Sequence, residues 1–114
     1  MKNFILSLAF GLLSGQAIGT GVPISEYYQY KDEAFMISYV WGISSGLQTA
    51  VAISESKGSK RLFCIPSDLA IKNEDSVKIL EDELFDKNKE KKYPDELLIS
   101  IAYLYALENM FPCK

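Results

Sequence analysis

A chain of 114 residues with 12 basic side chains, 15 acidic ones and no histidine has room for one small domain and carries a formal charge of -3. The acidic balance leaves no extended basic face to displace phosphate counterions, which argues against nucleic acid as a partner. Without histidine, imidazole acid-base catalysis, Ser-His-Asp triads and histidine-bound metal sites are absent by composition.

Met1-Lys2-Asn3 supplies one positive charge, and Phe4 to Leu13 follows as a short apolar run, the pattern of a secretory signal. Cleavage is expected after Ala17, with Gly19 as the alternative, so that 1–17 is a signal peptide and 18–114 the mature helical domain. Loss of Lys2, the only charged residue in that segment, moves the charge from -3 to -4. No later uncharged apolar stretch is read as a membrane helix. Export and an even cysteine count go together, because disulfides persist outside the reducing cytosol. Cys64 and Cys113 allow a single intramolecular pairing.

Gly19 to Pro23 reads as an extended lead-in, and Tyr27, Tyr28 and Tyr30 behind it read as interface candidates, since tyrosine buries area while keeping a polar tip. From about Asp32 the spacing predicts a first helix, with Phe35, Tyr39, Ile43, Leu47 and Val51 as its inner stripe and Met36, Val40 and Ala50 widening it. Gly42 and Gly46 beside Trp41 suit close approach of another backbone. The polar stretch Ser54 to Lys60 ends the helix, and Arg61 to Pro66 forms an extended connector in which Pro66 keeps Ile65 out of helical geometry.

A second helix begins between Ile71 and Asn73, with Asn73 as cap, Glu74 and Asp75 in the first turn, and Val77, Leu80 and Leu84 facing inward with Ile79 and Phe85 adjoining. Lys78, Glu81, Asp82 and Glu83 are read as its outward face. Asp86 to Lys92 is a polar loop. Tyr93-Pro94-Asp95-Glu96 then announces a third helix, apolar at almost every angle and stopped by Pro112, which suits a central core helix or one with a face buried in an oligomer.

The carboxylate pairs that glycoside chemistry would need, Asp82 with Glu83 or Asp95 with Glu96, fall on surface faces and first turns where solubility and capping account for them. The chain has no CxxC, Gly-rich phosphate loop, GxSxG or EF-hand loop. It is therefore read as a binding protein and not an enzyme, with no cofactor and no metal. Loops between rigid helices concentrate recognition residues, which makes Lys87, Lys89, Glu90, Lys91, Lys92 and Tyr93 the candidate partner-binding residues.

Tyr39-Val40-Trp41-Gly42-Ile43, Phe63-Cys64-Ile65-Pro66, Tyr93-Pro94 and the ending Ala106 to Cys113 together resemble the periplasmic type VI secretion immunity proteins of the Rap/Tai group, which neutralise peptidoglycan amidase toxins. The likeness spans roughly Phe35 to Cys113. It implies a compact all-α domain of three to four helices braced by one disulfide, export to the periplasm, and inhibition of an amidase effector by blocking its active site, often as a homodimer. Only the cysteine pair transfers residue by residue. Many members carry a further cysteine where Met36 and Ile37 stand here. The competing reading is a periplasmic acid-stress chaperone, also helical and exported, with carboxylates as its low-pH triggers.

Overall fold

The computed structural model describes residues 21–114, so the signal-peptide segment 1–17 lies outside the described residues. Four helices follow one another: α1, Ile24–Tyr30; α2, Ala34–Ser56; α3, Asn73–Leu84; and α4, Ile99–Met110. No strand is present among the described residues, and two isolated bridges join Pro23 to Leu98 and Phe85 to Lys91. The all-α expectation holds, with four helices and one disulfide.

α1 is a helix the sequence reading did not contain. Its first amide groups, which no helical carbonyl can reach, are taken by the segment before α4: Ile24 N–H donates to the Leu97 carbonyl at 2.9 Å and Ser25 N–H to the Asp95 carbonyl at 3.1 Å. Ile99 N–H returns a bond to the Val22 carbonyl at 2.8 Å. This pairing competes with helix continuation, and it moves the start of α4 from the expected Pro94 to Ile99. Tyr27 is consequently buried, its hydroxyl donating to Glu81 Oε1 at 3.0 Å, and is core instead of interface.

α2 turns inward the edge of the expected stripe that Met36 and Val40 widen, with Val51 at its end, and leaves the Phe35 and Tyr39 edge outside. Its buried residues are Met36, Val40, Ser44 and Val51, whereas Phe35 is 59% and Tyr39 39% exposed. The reason is geometric: a strict four-residue spacing advances about 40° per step on a 3.6-residue helix, so the stripe from Phe35 to Val51 winds from the solvent side to the core. Gly42 and Gly46 lie on the open side, where an added Cβ meets nothing within 4 Å, so no backbone approaches them.

The N-cap of α3 is Lys72, one residue before the expected Asn73, and its N–H donates to Asp75 Oδ2 at 3.2 Å. Its inner face is Ser76, Ile79, Leu80, Glu83 and Leu84. α4 contributes Ile99, Ala102, Tyr103, Ala106 and Leu107 to the core but leaves Ile101, Tyr105 and Met110 exposed, so it is not enclosed on all sides.

The two cysteines form the Cys64–Cys113 disulfide, with a Cα–Cα distance of 5.1 Å. Beside it the Cys64 N–H donates to the Phe111 carbonyl at 2.7 Å, and Phe63 is buried. The connector is thus tied to the end of α4 at Cys64 by both a covalent bond and a hydrogen bond, next to the buried Phe63. A disulfide of this kind points to an oxidising compartment.

Candidate interaction site at the 86–93 loop

Between α3 and α4 the chain turns sharply on the Asp86 side chain. Asp86 Oδ1 accepts hydrogen bonds from the Asn88 and Glu90 N–H groups at 2.8 and 3.0 Å. Asp86 N–H donates to the Glu90 carbonyl at 2.8 Å, and Lys89 N–H to the Asp86 carbonyl at 2.9 Å. A short polar side chain that bonds its own following backbone is a turn former, and here it holds Lys89 at a positive φ of 68°. Lys87, Lys89 and Glu90 are exposed at the tip.

The sequence reading treated the four lysines alike, and the structure divides them. Lys91 reaches Asp95 at 3.4 Å and lies over the Tyr28 ring; Lys92 pairs with Glu83 at 3.0 Å and lies over the Tyr93 ring. Lys87 and Lys89 make no ion pair among the described residues. They border an open hollow of about 570 Å³ lined also by Glu81, Asp82, Phe85 and Asp86. Tyr93 is half-buried, with its ring stacked on Tyr105 at a centroid distance of 6.0 Å.

Glu83, expected to face solvent, is 7% exposed and is the hub of this region. Its carboxylate accepts from Lys92 Nζ, from the Tyr93 hydroxyl, and from Asn109 Nδ2 at 3.2 and 3.3 Å. Burial alone would push the Glu83 carboxyl up, but the bonds from Tyr93, Lys92 and Asn109 together with the Lys92 charge outweigh it and hold it below its ordinary value. Burial and the Glu83 carboxylate push the Tyr93 phenol up. Both groups keep their neutral-pH forms, carboxylate and phenol.

No group of three or more candidate metal ligands occurs among the described residues. The hollow beside the loop offers carboxylates and lysines but no nucleophile paired with a base, and what the arrangement can do is present charge on a fixed frame.

A second feature is the open side of α2. Between Glu33 and Glu55 the sequence has no charged residue, and Phe35, Tyr39, Trp41 and Ile53 are exposed along it. By length and composition this helix is also able to cross a membrane, contrary to the expectation that no later stretch would qualify. It nevertheless packs on α3 and α4, and Ser44, which accepts a bond from Gln48 Nε2 at 3.0 Å, is buried in that contact.

Comparison with models of protein families, with curated proteins and with solved structures returned no match.

Proposed function

We propose that this chain is an exported immunity protein, not an enzyme, that binds a peptidoglycan amidase effector of type VI secretion in the periplasm and blocks its active site. The observation that supports this reading best is the 86–93 loop, a lysine-bearing projection fixed at both ends on rigid helices. Fixing a binding loop before association lowers the ordering cost of the complex. The disulfide agrees with an oxidising compartment, and the motif likeness around Cys64 and Cys113 points the same way. The test is co-expression in the periplasm with a cell-wall amidase encoded beside this gene. Rescue from lysis is the expected result. Failure to rescue, together with suppression of client aggregation at about pH 2 to 3, would favour the acid-stress chaperone instead.

The open face of α2 suits a second copy of this chain, since an uncharged strip meets no like-charge repulsion when it pairs with itself across a two-fold axis. Gly46→Arg tests it without disturbing the fold, because the Cβ position is open and arginine is the better helix former. The wild type is expected to sediment as a dimer at micromolar concentration and Gly46→Arg as a monomer of unchanged helicity. A monomeric wild type, or partition of the mature chain into detergent, would remove the dimer.

A further inference from the structure

We infer that Glu83 is a positioning residue: its buried carboxylate latches the exit of the 86–93 loop to α3 and α4, and so presents Lys87 and Lys89 to the partner in one arrangement. This rests on the reading of the loop as the contact surface.

The inference follows from what a carboxylate costs at this position. Glu83 lies on the inner face of α3, between Ile79 and Leu80, where an apolar side chain would avoid the desolvation of a charge. A buried carboxylate is tolerated when its lone pairs are filled, and here the donors come from two separate elements. Lys92 and Tyr93 belong to the loop exit and Asn109 to the last turn of α4. The other limb of the loop is closed independently by Asp86 and by the Phe85–Lys91 bridge, and Lys92 N–H donates to the Leu84 carbonyl at 3.0 Å. Of the polar ties only the Glu83 cluster joins the loop to both helices, beside the stacking of Tyr93 on Tyr105. Glu83 makes no contact at the tip itself, so it acts on recognition through Lys92 and Tyr93.

The loop carries its own probe, because Lys87, Lys89, Lys91 and Lys92 are tryptic sites, and Lys57, Lys60 and Arg61 provide an internal control in another polar segment. The comparison is made on the full mature chain well below its melting temperature, with wild type, Glu83→Gln and Tyr93→Phe. Tyr93→Phe removes one donor at the loop exit and leaves the inner face of α3 intact, so it stays informative if Glu83→Gln folds poorly. Cleavage at 87–92 is expected to rise about tenfold in both variants, with cleavage at 57–61 unchanged. Equal rates at 87–92 in all three proteins, or a parallel rise in both segments, would overturn the latch. Inhibition of the neighbouring amidase separates the two layers. A loosened loop with weaker inhibition supports both, whereas a loosened loop with undiminished inhibition keeps the latch and removes the loop from the contact surface.

Discussion

Replacement of both Cys64 and Cys113 by alanine is expected to lower the melting temperature by roughly 15 to 30 °C. The bond links residues 49 apart, and in the chain-entropy account closing a loop of that length disfavours the unfolded state by about 4 kcal/mol. A domain of this size shifts by about 4 to 8 °C per kcal/mol. The closed loop contains α3, the 86–93 loop and α4, so the elements that carry the proposed site all lose the constraint together. Substituting both cysteines avoids leaving a free thiol. Calorimetry with and without reductant checks the result: wild type in reductant should match the double variant, and a melting temperature unmoved by either would refute the brace.

The sequence made the frame legible and hid the site for a single geometric reason. Capping acids, Pro66, Pro112 and the polar interruptions placed α2, α3 and the connector close to where they lie, because those signals are local. Faces are set by angle. The four-residue spacing from Phe35 to Val51 was read as one straight stripe although it winds around α2, and this misplaced Phe35 and Tyr39 in the core. The same arithmetic applied to α3 sets Glu83 between Ser76, Ile79 and Leu80, an acid in the middle of an apolar stripe. That signal was present in the sequence and would have marked Glu83 as unusual. Its partners were not legible: Asn109 lies 26 residues away and meets Glu83 only after α3 and α4 pack. α1 was missed for a similar reason, since its first amides are satisfied by Asp95 and Leu97, far along the chain.

Reversal of Lys87 and Lys89 together is expected to slow association with the proposed amidase partner by about ten- to a hundredfold at low ionic strength while changing dissociation little. Exposed charges at the edge of an interface act mainly on encounter rates, and these two lysines are the ones the loop leaves without an ion pair. The effect should shrink in about 1 M salt, where the screening length falls to about 3 Å. Reversing Lys91 and Lys92 instead must behave differently. Each holds a structural partner, Asp95 and Glu83, so their reversal sets like charges against each other and, at Glu83, leaves a buried carboxylate facing a second acid. Faster dissociation and a lower melting temperature are expected there. Lys87→Glu with Lys89→Glu can be read without such damage, because Asp86 keeps its turn through backbone amides that neither substitution removes. Stopped-flow association across a salt series separates the pairs. An on-rate that Lys87→Glu/Lys89→Glu leaves unchanged at low salt would take the loop tip out of the recognition surface, whatever the fate of the latch beneath it.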